Sequence, residues 1–413
     1  MPSLCSGIIV IATYSMAQKI SPFNPFVIGK YVSDDYFCDR KQDTELVKKQ
    51  IINGRNLTII ADRRIGKSGL ISHVFAQPDI QKDYYTVIVD LYATNSLAEM
   101  VSVWGKEIFS QVQKQAKSWR DKFFDVITSL RVGLKFDSSS GSPTLDIGMG
   151  DISSPMMTIE QIFEYLEMAD KPCIVAFDEF QQIAYYPENN IEALLRTHIQ
   201  RCKKTQFIFA GSRKHMMAQM FLSPARPFYQ STVNLGLDLI PRDTYVDFAQ
   251  EMFRKNDKDI AKEAVEQVYD IYRGITWYIQ LIMNEMYYLT PKGETCGTDS
   301  IEPAITNVLR IQENTFVSLL SNIPPRQKEL LFAIAKAGIA ENVSSSEFMQ
   351  KYKLQSTSSI QSALKGLDEK ELIICSPDKK WRIYDTLLEQ YIQRYVVNSE
   401  KSTNGFAYFK KKQ

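Results

Sequence analysis

One stretch limits what this chain can fold into more than any other. It runs Leu57-Thr58-Ile59-Ile60 and then Ala61-Asp62-Arg63-Arg64-Ile65-Gly66-Lys67-Ser68-Gly69-Leu70. The first four residues read as a short buried strand, the basic stretch with Gly66 as a tight loop, and the residues from Ser68 to Phe75 as a helix. A loop of this kind turns backbone N–H groups inward beside the positive end of the following helix, which makes a cradle for phosphate. In that geometry Lys67 reaches the β- and γ-phosphates of a nucleotide and Ser68 places its hydroxyl on Mg²⁺. The full pattern opens on glycine where this chain has Ala61, and a side chain there narrows the turn's backbone options. A bare Gly-Lys-Ser recurs by chance in many chains, so the weight falls on the order of the motifs downstream of it.

The next of these motifs is Lys171-Pro172-Cys173-Ile174-Val175-Ala176-Phe177-Asp178-Glu179-Phe180. A continuous apolar run of strand length marks a strand covered on both faces, as in a parallel α/β sheet. Two acids at its carboxyl end sit at the edge where such sheets bind ligands. Asp178 is placed to hold Mg²⁺ through water, and Glu179 to orient or deprotonate an attacking water. The competing reading is a strand that ends in a solvated acidic turn. A third run, Gln206-Phe207-Ile208-Phe209-Ala210-Gly211-Ser212-Arg213, also leaves the sheet with polar residues. Ser212 or Arg213 is a candidate sensor of the γ-phosphate, and arginine best neutralises charge that develops in phosphoryl transfer. A helix-capping Ser and a surface Arg is the alternative.

Composition narrows the rest. A chain of 413 residues has room for two or three domains. With 49 basic and 48 acidic residues, its net charge of +1 provides no global field for nucleic acid. The cysteines (5, 38, 173, 202, 296 and 375) form no C-x-x-C, and His73, His198 and His215 are scattered. Free thiols in a reducing compartment fit this better than a disulfide frame or a zinc site. No apolar stretch is long enough to span a membrane. The run Gly7–Ala12 lacks a basic lead and makes a poor signal peptide, so a cytoplasmic location is expected. Residues 1–15 read as an extension that stays unfolded or as a start-site error, with Met16 the other start.

Residues 1–23 are accordingly expected to form a disordered tail, and residues 24–240 the α/β domain, in which strands alternate with helices and predict a parallel sheet with helices on both faces. Tyr85–Tyr92 is a second strand, and Ala98–Gln115, Ile159–Met168 and Asn190–Cys202 are helices. A hairpin insertion is expected near 132–150, around the turn residues 138–141. From Pro241 the pattern turns to helices alone, at 244–254, 260–272, 277–290 and 301–321, and reads as an all-α lid (241–321) over the nucleotide face. After Asn322-Ile323-Pro324-Pro325, three short helices and two strands predict a winged helix (322–395), followed by a basic tail (396–413). The third of these helices carries Lys365 and Lys370 against Asp368, Glu369 and Glu371, a poor basic stripe for DNA.

The ordered set resembles the prokaryotic archaeal-type ATPases, of the STAND class within the AAA-like P-loop ATPases. Asn24-Pro25-Phe26 and Phe37-Cys38-Asp39-Arg40 are similar to that family's opening segment. The doubled Arg63-Arg64 is similar to its Walker A loop, and Phe177-Asp178-Glu179-Phe180-Gln181 to its acidic strand. Gly211-Ser212, Arg226-Pro227-Phe228-Tyr229, Ser358-Ser359-Ile360-Gln361 and Tyr384-Asp385 resemble its sensor strand and winged-helix tail. Gly274-Ile275-Thr276 departs from it, standing where the family has Gly-x-Pro. The resemblance implies a P-loop NTPase that binds ATP and Mg²⁺, hydrolyses ATP slowly and repositions its lid and winged helix. It implies a nucleotide site of Arg40 with Ala61, Asp62, Arg63, Arg64, Ile65, Gly66, Lys67, Ser68 and Gly69. It further implies a metal site of Ser68 and Asp178, and a catalytic group of Lys67, Glu179, Ser212 and Arg213, with Arg213 or Arg226 as an arginine finger. The expected partners are ATP and a protein that triggers the switch. Two alternatives stay open: an ATP-modulated DNA-binding protein that uses its winged helix, and a non-hydrolysing interaction scaffold.

Overall fold

The computed structural model describes residues 24–112, 134–136, 143–145, 155–376 and 378–397. The tail expected over 1–23 and nearly all of that expected over 396–413 lie outside the described residues. Five strands form one parallel sheet in the order β2-β5-β6-β1-β7: β1 Leu57–Ile60, β2 Tyr85–Asp90, β5 Cys173–Asp178, β6 Thr205–Gly211 and β7 Val233–Gly236. Between β2 and β5 in the chain, β3 (Leu134–Phe136) and β4 (Pro143–Leu145) pair antiparallel.

The central strands β1, β5 and β6 are buried on both faces because they carry apolar side chains at odd and even positions alike. Every residue of β5 is buried. Its Cys173, Val175 and Phe177 point into one apolar layer with Val87, Phe207, Phe209 and Trp104. Ile174 and Ala176 point into the other, with Ile59, Ile208 and Leu70. Helices Lys67–Ala76, Leu97–Val112, Pro155–Glu167, Ile191–Arg201 and Lys214–Leu222 connect the strands. Since all five strands run the same way, all their carboxyl ends meet at one rim.

Beyond the sheet come helices Arg242–Arg254, Lys262–Ile271, Thr276–Leu289 and Ile301–Ser321. The expectation of helices alone over this stretch needs one correction: β8 (Asp259–Ile260) and β9 (Thr295–Cys296) pair parallel within it. Helices Pro325–Ala337, Ser346–Tyr352 and Thr357–Glu369 then lead into the two-stranded wing, β10 (Ile373–Cys375) and β11 (Trp381–Ile383). Local chemistry sets these boundaries. Pro325 opens its helix at a position where the missing N–H costs nothing. Ser345 and Ser356 cap the next two by accepting the N–H groups of Phe348 and Ser359. One apolar core runs through the helices of 242–321 and the winged helix, from Ile240 to Val396. Phe26 is fully buried in that core too, so the N-terminal end of the described residues is stapled to these helices. The amides of Asn24 and Asn284 lock it there, donating to Asn284 O and Phe26 O respectively, each at 2.8 Å.

Candidate functional site

In the sheet, β6 separates β1 from β5. The loop after β1, the acids after β5 and the polar residues after β6 therefore converge at one rim. Gly66 closes the loop with φ +99°, a left-handed conformation that favours glycine, and the helix starts at Lys67. Arg64 also has a left-handed backbone, φ +67°. Such alternation turns successive N–H groups toward one point, and the first helical turn adds N–H groups that have no intrahelical acceptor. Ser68 Oγ donates to Asp178 Oδ2, which ties the loop to the acidic strand. Lys67 Nζ donates to the carbonyls of Ala61 (3.0 Å) and Asp62 (2.7 Å).

Lys67 and Asp178 are only 5% and 8% exposed. Burial lowers the Lys67 pKa, opposed by the charges of Glu179, Asp178 and Asp62. Burial pushes the Asp178 carboxyl up, opposed by the Ser68 hydroxyl and reinforced by Glu179. Both shifts have one cause: charges held away from water.

Glu179 leaves the strand with φ +52°, and its carboxylate is held. Oε2 accepts from Ser212 Oγ at 2.7 Å and from Gln181 Nε2 at 2.5 Å. Gly211 makes room for this. A Cβ there would lie 2.3 Å from Gln181 Oε1 and 2.5 Å from Met217 Sδ. Ser212 in turn accepts from Arg63 Nε at 3.2 Å.

The arginines around the loop are engaged by the winged helix. Arg63 pairs with Glu371, and its backbone N–H donates to Tyr384 Oη at 3.1 Å. Arg213 pairs with the same carboxylate at 2.5 Å and also donates to Tyr185 Oη. Arg64 pairs with Asp385 at 2.7 Å and donates to Tyr278 Oη. Its guanidinium lies 4.7 Å from the Trp277 ring centroid. Asp385 does double duty, since its Oδ1 caps helix Thr386–Tyr391. The Tyr384-Asp385 patch thus sits against the loop, and Glu371 is a partner that sequence reasoning missed.

The other predicted residues fall in different places. Arg40 lines the cavity beside the loop, but the two terminal nitrogens of its guanidinium are spent on the protein. It donates to Ile65 O at 2.9 Å and Asp238 O at 2.6 Å and pairs with Asp43 at 3.2 Å. It shapes the loop from behind. The Asp62 carboxylate pairs with Lys214 at 2.8 Å. Ala61 and Ile65 are buried, at 0% and 2% exposure. Arg226 is not gathered into the group; it pairs with Glu192 in the helix after β5. The cavity, about 650 Å³, is walled by loop residues, by the segment following Phe26 and by Thr276, Trp277 and Gln280 of helix Thr276–Leu289. Among the described residues no cluster of three His, Cys, Asp or Glu side chains is arranged to hold a metal, and no helix is long and apolar enough to cross a membrane.

Comparison with known proteins agrees with this architecture. The family described as "Probable winged helix domain" matches residues 314–394. No curated protein matches the chain by sequence. The Walker-type ATPase PABY2304 of Pyrococcus abyssi superimposes with a TM-score of 0.63 at 18% identity, over 89% of this chain and 99% of that one. The ORC2 protein of Aeropyrum pernix, in its ADPNP–ADP complexes, does so with a TM-score of 0.56 at 13% identity, over 92% and 98%. Its ADP form gives 0.51 at 12% identity, over 89% and 97%. The fold is the one these structures share: a parallel sheet flanked by helices, further helices and a C-terminal winged helix.

Proposed function

We propose that this chain is an ATP-binding, Mg²⁺-dependent ATP hydrolase of the STAND type that acts as a conformational switch. The observation that carries the reading is the convergence of Lys67, Ser68, Asp178 and Glu179 where β1 and β5 meet one rim. The donor set fits the ligands. A buried ammonium beside inward-turned N–H groups suits a triphosphate. A hydroxyl bonded to a carboxylate suits Mg²⁺, which takes one or two protein ligands and completes its shell with phosphate oxygens and water. In this reading Lys67 neutralises β- and γ-phosphate charge, and Ser68 and Asp178 hold the metal. Glu179 accepts a proton from the water that displaces ADP from the γ-phosphorus. Bound Mg²⁺ adds charge neutralisation. Ser212 aims Glu179, and Arg63, Arg64 and Arg213 join the site to the winged helix. A protein that favours one docking state is the proposed trigger, in the cytoplasm.

Calorimetric titration with MgATP tests this. Lys67→Ala should weaken binding at least ~100-fold. Glu179→Gln should bind within a few-fold of the parent and lose turnover by about 10² or more. Equal affinity with and without Lys67 would refute the reading. The matched winged helix supports a second reading, ATP-modulated DNA binding. Its basic side chains are partly spent, with Lys365 3.9 Å from Glu369 and Lys370 bonded to Gln327 at 2.8 Å. A flat dependence of log affinity on log salt would reject DNA binding.

A further inference from the structure

A second cavity, about 520 Å³, opens at the same rim. Asn95, Gln182 and Arg213, from the segments after β2, β5 and β6, line it together with Lys370 and Glu371 of the winged helix. Arg63 lines both this cavity and the one beside the loop after β1, so a single side chain borders the two. The lining carries three cations and one carboxylate. Glu371 spends both oxygens on guanidiniums, Oε2 on Arg63 and Oε1 on Arg213. One acid thus holds two arginines together and balances the charge of only one. Arg63 otherwise bonds Ser212 through Nε, and Arg213 bonds Tyr185 and Met216 through Nη1. The Nη2 groups of both arginines are left without a partner among the described residues. Neither nitrogen is buried, and the side chains are 30% and 32% exposed. Lys370 donates to the Gln327 amide oxygen at 2.8 Å and pairs with no acid among the described residues.

Open donors on two guanidiniums and an ammonium, with positive charge in excess, suit an anion that carries more charge and more acceptors than one carboxylate. A phosphate dianion has both, and guanidinium forks match its oxygens. The position of the cavity names the source. Arg63 donates to Ser212, and Ser212 donates to Glu179. The cavity therefore lies one side chain away from the place where the proposed hydrolysis would free phosphate.

We infer that this cavity is a second anion site, separate from the loop after β1, and that it takes inorganic phosphate. Its role as a stop for phosphate freed from ATP rests on the nucleotide reading above; the site itself does not. Broadening of the phosphorus-31 resonance of inorganic phosphate reads the binding, in the full chain without nucleotide and at fixed low ionic strength. The parent should saturate with a Kd on the order of 1 mM. Arg213→Gln should weaken binding at least ~10-fold and Lys370→Gln about threefold. Glu371→Gln removes the competing charge and should tighten binding about threefold to tenfold. Lys67→Ala, which disarms the loop, should change it by less than about twofold. Absence of saturation in the parent up to about 20 mM phosphate overturns the assignment. So does binding that Lys67→Ala abolishes and Arg213→Gln retains. If Arg213→Gln fails to fold, the opposite shifts of Lys370→Gln and Glu371→Gln decide, and shifts of the same sign, or none, overturn it. A parent that shows this phosphate pattern but binds no MgATP keeps the site and refutes the nucleotide reading alone.

Discussion

Asp178 ends a fully buried strand with an acid, and its raised pKa makes that placement costly to the fold. A carboxyl whose folded pKa lies above its unfolded value adds stability in acid and loses it as pH climbs through the raised value. Asp178→Asn keeps an acceptor for the Ser68 hydroxyl and removes the charge. Without nucleotide it should therefore melt higher than the parent. The gap should be near zero at about pH 4 and widen toward about pH 8, while MgATP binding weakens. Melting curves across that range check it, and a gap that narrows with rising pH would contradict the burial argument. The place of Asp178 at the sheet rim was legible because an acid closing an apolar run marks the end of a buried strand. Arg40 was flagged by its neighbours Phe37, Cys38 and Asp39 alone. Its bonds to the carbonyls of Ile65 and Asp238 depend on the folded chain and leave no local mark.

Elements were legible where the pattern is repetitive and illegible where burial is partial. β1, β5 and β6 carry continuous apolar runs, because layers cover both their faces. β7 was missed: it is an edge strand with only Leu235 buried, and its signal is the alternation Val233, Leu235, Leu237. β8 and β9, two residues each, are too short for any period. The end of β6 shows how an element aims a side chain. Gly211 admits Gln181, which with Ser212 fixes Glu179. Gly211→Ala should push Gln181 and Met217 aside, destabilise the fold by about 1–3 kcal/mol and slow ATP turnover. Denaturant midpoints and steady-state rates would show both effects. An unchanged midpoint would mean that the site relaxes around the methyl group without loss.

Across the whole molecule, the contacts that join the loop to the winged helix link residues as much as 321 positions apart, which no local pattern reveals. Glu371 and Asp385 hold three arginines that border the proposed phosphate site. The partners are 24% to 35% exposed, so each pair contributes roughly 0.2–1 kcal/mol and weakens with salt. Docking does not depend on them, because the apolar core from Ile240 to Val396 is far larger. Their consequence is competition: a guanidinium bound to Glu371 or Asp385 is less free to meet a triphosphate. Glu371→Gln combined with Asp385→Asn removes both charges, and asparagine still caps helix Thr386–Tyr391. The double variant should bind MgATP about threefold to tenfold more tightly at low salt, with the gain fading at high salt. Linkage requires the reverse effect of equal size, so MgATP should loosen the wing in the parent protein. Faster amide exchange in β10 and β11 on adding MgATP would register it. Unchanged affinity in the double variant, together with unchanged exchange in the wing, would mean that the loop and the winged helix touch without being coupled.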